Sequence, residues 1–150
     1  MIKRLGYACI NQTLSADPPK AKQVSASRTL RLASFTPQAV SEIALSNARG
    51  LLAILEWNLA HRILFFRVST DNLFPFMDHP TLGYDPESLL HWPEIRGVLE
   101  ACGQLAKSNG MRLSCHPGPY NCLGSPNPST VNQTIRSLEM HSTIGQLMQQ

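Results

Sequence analysis

The sequence predicts an α/β protein with a parallel sheet, and three observations carry that expectation. Short apolar runs alternate with segments of helical periodicity in the order strand, loop, helix, repeated three times. The middle run, residues 63–69 (ILFFRVS), is almost wholly apolar, as in a strand covered on both faces. Each helical segment opens on a proline, at Pro37, Pro93 and Pro128, where the missing N–H costs nothing.

The elements follow in order. Residues 2–7 (IKRLGY) read as the first strand, and residues 11–34, rich in Ser, Lys, Thr and Pro, as a long functional loop. Thr36 caps a helix over 37–61, with Val40, Ile43, Ala44, Leu51, Leu55 and Leu59 at helical spacing. The second strand, 63–69, enters an irregular loop over 73–85 punctuated by Pro75, Pro80 and Gly83. A second helix from Pro93 carries one stripe of Ile95, Val98, Leu99, Cys102, Leu105 and Ala106 and stops at Asn109 and Gly110. Residues 111–115 (MRLSC) form the third strand, 116–126 a loop, and Asn127 caps a third helix with Val131, Ile135, Leu138 and Ser142 on its inner face.

Composition bounds the class. With 150 residues, 43% hydrophobic and 15% charged, the chain supports one core and excludes disorder and fibre. No apolar stretch approaches the roughly 18 residues of a membrane span, and Gly6, Asn11, Gln12 and Thr13 interrupt any signal-like start, so a cytoplasmic protein is expected. Cys9, Cys102, Cys115 and Cys122 have no metal-ribbon or framework spacing and are expected as free thiols. Charge is uneven: residues 1–36 hold Lys3, Arg4, Lys20, Lys22, Arg28 and Arg31 against Asp17, a net of +5 in a chain of net +3. Such a segment suits a polyanion, because Lys and Arg release condensed counterions, and it equally suits a solvated loop.

Right-handed crossovers put the three loops that follow the strands at one end of the sheet, where α/β folds place their chemistry, so that Tyr7, His79 and His116 converge there. Three strands make either a small open sheet or the opening part of a longer protein. His79 and His116 each precede proline, which holds the backbone extended and aims the imidazole into the loop face. Two imidazoles alone do not complete a metal site, and neither belongs to a short metal motif. Asp71, Asp78 and Asp85 are candidate ligands or orienters of His79, or turn formers. His61 suits a helix C-terminus, and His91 and His141 read as structural or exposed. Tyr120, on the proline-stiffened stretch Gly118-Pro119-Tyr120-Asn121, either stacks on or wedges into nucleic acid or closes the loop against the mouth of the sheet.

These residues carry a resemblance. Gly6 and Tyr7 with Cys9 and Asn11, the run Arg28-Thr29-Leu30-Arg31-Leu32, Trp57 and Asn58 through Phe66-Arg67-Val68-Ser69, Pro75 and Phe76 with His79 and Pro80, and Leu113 and Ser114 with His116-Pro117-Gly118 occur in the order of the UV damage endonucleases. Over nearly all 150 residues the chain resembles the amino-terminal half of that family. The resemblance implies a TIM-barrel fold truncated to about its first three βα units, with residues 1–150 an incomplete part of one barrel. It implies a DNA repair endonuclease that incises 5′ to UV photoproducts with a cluster of divalent metals, typically Mn2+. His79 and His116 match metal ligands, while the family's remaining ligands lie on later strands.

Tyr7 and Asn11 match residues lining the lesion pocket. A Gln-Tyr pair that probes the duplex in some members reads Pro119-Tyr120 here, which keeps the wedge and loses a polar contact. Asn72 looks like an extra residue on the path to His79. Arg28 and Arg31 are the candidates for phosphate contact, and an Arg that braces the first helix would serve the same sequence. The implied partner is UV-damaged double-stranded DNA, with no membrane and no obligate protein partner. Rival readings are another TIM-barrel metalloenzyme, such as a sugar isomerase, and a non-catalytic remnant.

Overall fold

The structure is a computed structural model that describes residues 5–16, 24–115 and 117–148. Three parallel strands, β1 (Gly6–Ala8), β2 (Phe65–Val68) and β3 (Arg112–Cys115), lie side by side in sequence order. Tyr7 pairs in register with Phe66, and Phe66 with Leu113, while Ala8, Arg67 and Ser114 form the neighbouring row. Two long helices, α2 (Pro37–Ala60) and α4 (Trp92–Ser108), make the crossovers and pack against each other over the sheet. Their apolar stripes meet Phe66 and Val68 in one core with Leu51, Ile54, Leu55, Ile95 and Leu99. Sequential strand order with the helices on one face is an arc of a barrel, whereas a doubly wound sheet is covered on both faces.

Local chemistry sets the helix ends. Thr36 Oγ1 accepts from Ala39 N at 3.1 Å, and Asn127 Oδ1 accepts from Ser129 N at 3.0 Å to start α5 (Pro128–Leu147). At the end of α4, Gly110 adopts φ +62°, letting Gly110 N reach Lys107 O and Met111 N reach Ala106 O, the paired bonds of a Schellman stop. His61 accepts the C-cap position of α2, with Nδ1 2.8 Å from Trp57 O and its ring stacked on Trp57 at 3.8 Å.

Several expectations are corrected. The first strand occupies Gly6–Ala8, and residues 1–4 lie outside the described residues. The stretch 11–34 is not loop throughout. It contains the short helix α1 (Gln12–Ala16), capped by Asn11 Oδ1 on Leu14 N, and a 3-10 turn at Leu32–Ser34. Its second half is clamped onto α2: Asn47 binds both N and O of Arg28 at 2.8 Å, and Gly50 lets Ser25 O approach so closely that a Cβ would clash at 2.1 Å.

The strand β2 is covered on one face only, since Phe66 and Val68 are buried while Arg67 is exposed. Residues 70–73 form a short helix, α3 (Thr70–Leu73), which absorbs Asn72, whose carbonyl accepts from Asn47 Nδ2 at 2.8 Å. The inner face of α5 is not the one expected from Val131, Ile135, Leu138 and Ser142. Thr134, Ser137, Met140, His141 and Ile144 are buried, whereas Ile135 and Leu138 are 41% and 36% exposed. The polar members of the buried face contact neighbouring loops, and Met140 and Ile144 enter the core.

All four cysteines are free thiols, and burial, with the charge of Glu56, pushes Cys102 up to about 12, leaving it unreactive. Among the described residues no helix is long and apolar enough to cross a membrane.

Candidate functional site at the carboxyl ends of the strands

Three segments leave the carboxyl ends of the strands. Behind β1, Cys9 takes φ 63° and turns the chain into Ile10 and Asn11. Asn11 is buried and fully engaged: Oδ1 caps α1 and Nδ2 donates to the Tyr7 hydroxyl at 2.7 Å. The Tyr7 hydroxyl in turn donates to Oδ1 of buried Asn58 on α2 at 2.6 Å. The Tyr7 ring packs edge-on against Phe66 at 5.1 Å, so it lies on the helix-covered side of the sheet. Burial raises its pKa above 10.0, opposed by the bonds to Asn11 and Asn58. Tyr7 and Asn11 are therefore brought together, as parts of a relay that ties β1 and α1 to α2.

Behind β2, the chain passes through α3 to His79. Phe76 adopts φ 65°, and Gly83 folds back so that its N–H donates to His79 O at 2.9 Å, an approach in which a Cβ would meet two carbonyls within 3 Å. Phe35, Phe76 and His79 form a chain of edge-on rings at 5.6 and 6.0 Å. Nδ1 of His79 accepts from the backbone N–H groups of Thr81 and Leu82 at 3.3 and 3.2 Å. A neutral ring that accepts at Nδ1 carries its proton on Nε2, the reverse of the tautomer that binds a metal through Nε2. Among the described residues no group of three or more His, Cys, Asp or Glu is placed to hold a metal ion. His116 lies outside the described residues. The described side chains therefore do not make up the metal centre that the resemblance implies.

The three aspartates have structural work. Asp71 Oδ1 lies 3.2 Å from Nε2 of His141, not against His79. Asp78 accepts from Gln133 Nε2 at 3.3 Å, and Asp85 Oδ1 accepts from Glu87 N to cap the 3-10 turn Pro86–Ser88. His91 sits at the head of α4, its backbone N–H donating to buried Ser41 Oγ.

Behind β3, Asn121 N closes a tight turn on Gly118 O with Pro119 and Tyr120 at its two central positions. Proline fixes φ at the first of these and stiffens the tip. Tyr120 is 90% exposed, so it does not close the loop against the sheet. A cleft of about 300 Å³ lies beside it, lined by Asp71, Asp78, Gly118, Asn121, Gln133 and Ser137. Arg28 and Arg31 are exposed on the clamped segment before α2, whereas Lys3, Arg4, Lys20 and Lys22 lie outside the described residues. Two larger grooves, of about 480 and 410 Å³, flank the sheet, one lined by Leu113, Ser114 and Cys115 of β3 and the other by Tyr7 and Ala8 of β1.

The order of these segments along the chain matches a known sequence profile over residues 3–150, that of the UV-endonuclease UvdE family. The chain belongs to the UV-endonuclease UvdE family. Its relatives in that family include the UV-damage endonucleases of Neurospora crassa, 34% identical over 97% of this chain, and of Schizosaccharomyces pombe, 36% identical over 94%. The crystal structure of SacUVDE superposes on 97% of the chain with a TM-score of 0.82 at 32% identity. The chain spans 26% and 22% of the two fungal UvdE relatives and 45% of the SacUVDE chain. The fold is thus that of a TIM barrel truncated to its opening βα units, consistent with the uncovered face of β2.

Sequence reasoning missed the roles of Asn58, Gln133, Thr134, Ser137 and His141. Asn58 was visible only as part of the Trp57-Asn58 resemblance, and a polar residue at a buried helical position gives no signal until its partner is known.

Proposed function

We propose that these residues are the amino-terminal part of a DNA repair endonuclease that incises UV-damaged double-stranded DNA on the 5′ side of photoproducts. The observation that carries the reading is Tyr120, 90% exposed at the tip of a proline-stiffened turn at the carboxyl end of β3, in a chain of the UvdE family. An exposed ring on a rigid turn serves as a wedge between base steps, and a photodimer, which stacks and pairs poorly, costs less to unstack than a sound step. Pro119 supplies rigidity and no donor, so this loop contributes shape, not base-specific hydrogen bonds. Arg28 and Arg31 are assigned to backbone phosphates, the exposed face of the segment that Asn47 holds to α2. Tyr7 and Asn11 are assigned to the lesion side through the turn at Ile10, which their relay holds in place.

Metal dependence, with Mn2+ as the first candidate, is part of the same proposal. His79 and His116 are the positions of this chain assigned to the metal, with the other donors on later strands of the barrel. A divalent metal held there would activate water and neutralise charge at the phosphodiester. Loading at His79 Nε2 requires the ring to give up the bonds from Thr81 and Leu82, because that nitrogen carries the proton in the arrangement described.

The reading is tested with an end-labelled duplex carrying one photodimer, incubated with Mn2+ and the protein extended through its downstream codons. The expected product is a single nick immediately 5′ to the dimer. Incision of undamaged duplex at the same rate overturns the lesion specificity, and turnover of a small polyol with no dependence on salt favours the sugar-isomerase type of barrel instead.

A further inference from the structure

Helix α5 turns a row of buried and half-buried polar side chains inward, while Ile135 and Leu138 are 41% and 36% exposed. Each member of the row reaches a loop at the carboxyl end of the sheet. Gln133 Nε2 donates to the backbone O and to Oδ2 of Asp78, both at 3.3 Å, beside His79. His141 Nε2 meets Asp71 Oδ1 at 3.2 Å, at the start of the same segment. Thr134 Oγ1 accepts from Cys122 N at 2.9 Å and donates to Thr130 O at 2.9 Å. Ser137 Oγ accepts from Asn121 Nδ2 at 3.3 Å, in the turn that presents Tyr120. The helix thus meets the His79 segment at its two outer points, Gln133 and His141, and the Tyr120 loop at two points between them, Thr134 and Ser137.

Buried hydrogen bonds add little net stability compared with an apolar face, yet they are directional and costly to leave half made. Met140 and Ile144 on the same face already supply its apolar burial, so the polar members are not needed for that purpose. We propose that the polar seam of α5 is a positioning element, which fixes the Tyr120 turn relative to the His79 segment and so sets where the wedge enters the duplex relative to the phosphodiester to be cut. The proposal rests on the endonuclease reading. A turn that is not held beforehand must be ordered when the duplex binds, so loosening it weakens binding of the photodimer duplex and leaves the chemical step nearly unchanged.

The test uses the protein extended through its downstream codons, with KM and kcat measured on duplexes with and without a photodimer. Thr134→Val keeps the shape of the side chain and removes the acceptor for Cys122 N. It is expected to raise KM for the photodimer duplex about tenfold with kcat within about twofold. Thr134→Ser, which restores the hydroxyl, is expected to return KM to within about twofold of the unsubstituted protein. Ser137→Ala removes one oxygen and is expected to raise KM about threefold, which keeps the test open should Thr134→Val fail to fold. An unchanged KM in the folded variants, or a loss in Thr134→Ser equal to that in Thr134→Val, overturns the positioning role. Failure of the unsubstituted protein to cut the photodimer duplex is a different result: it removes the endonuclease reading, and the inference falls with it.

Discussion

His141 on α5 holds Nε2 3.2 Å from Oδ1 of Asp71 on α3, with the histidine side chain 6% exposed and the aspartate 40% exposed. The pair joins the end of the third βα unit to the start of the loop after β2, between residues that no local sequence pattern connects. A half-exposed carboxylate keeps access to water, so the pair orients α3 and contributes little net stability.

His141→Leu, which fills the same space without a polar group, is therefore expected to stay within about 1 kcal/mol of the parent in urea unfolding, because Asp71 rehydrates. His141→Ala is expected to cost about 2–3 kcal/mol through the cavity it opens. Equal losses in the two variants would show that the contact between His141 and Asp71 itself dominates.

Tyr7→Phe removes the hydroxyl that bridges Asn11 and Asn58, leaving a buried amide donor and acceptor without it. The expected cost is about 1–3 kcal/mol in the same measurement. The pH dependence has a defined sign. Burial raises the native pKa of Tyr7 above 10.0, so its stabilisation is complete below pH 10 and is lost as pH rises through the native value. Tyr84, half-buried with its hydroxyl donating to Pro75 O, is raised in the same direction by burial. Stability above pH 10 should fall less steeply in Tyr7→Phe than in the parent, with the remainder due to Tyr84; identical slopes would exclude Tyr7 from the linkage.

Gly103 on α4 faces the carboxyl end of α5 so closely that a Cβ would lie 1.6 Å from Met148 O. Gly103→Ala must push backbone away from backbone, and a loss of about 3 kcal/mol is expected. Gly97→Ala, with nothing within 4 Å of the added atom, should stabilise by up to about 1 kcal/mol, since alanine is the better helix former. Thermal unfolding of the two variants separates them in sign.

Arg31→Ala is expected to weaken binding of damaged and undamaged duplex alike and to lower the slope of log affinity against log salt by about 0.9, the loss of one phosphate contact. Fluorescence anisotropy across a salt series reads both. An unchanged slope would place Arg31 off the DNA.

Helices α2 and α4 were legible because their signals are local: Thr36 and Pro37 at one start, a Schellman glycine at Gly110, and apolar spacing that the sheet rewards. The inner face of α5 was not legible, because Thr134, Ser137 and His141 are buried by partners in other segments, at Cys122, Asn121 and Asp71. The run 63–69 predicted burial on both faces; hydropathy cannot say whether a second layer is present, and here Arg67 marks the bare side. At the candidate site, Pro119 announced the stiffened turn, while the sequence left open whether Tyr120 faced outward, as it does, or closed against the sheet. The state of His79 was hidden, since its tautomer depends on the amides of Thr81 and Leu82 after a proline turn.

The most direct measurement compares nicking of UV-irradiated supercoiled plasmid, with Mn2+, by the 150-residue chain and by the same chain extended through its downstream codons. Relaxation of irradiated plasmid by the extended protein alone, with unirradiated plasmid left intact, is the expected result. Nicking by the 150-residue chain at the rate of the extended protein, or no lesion-dependent nicking by either, would contradict an endonuclease whose opening βα units depend on the rest of the barrel.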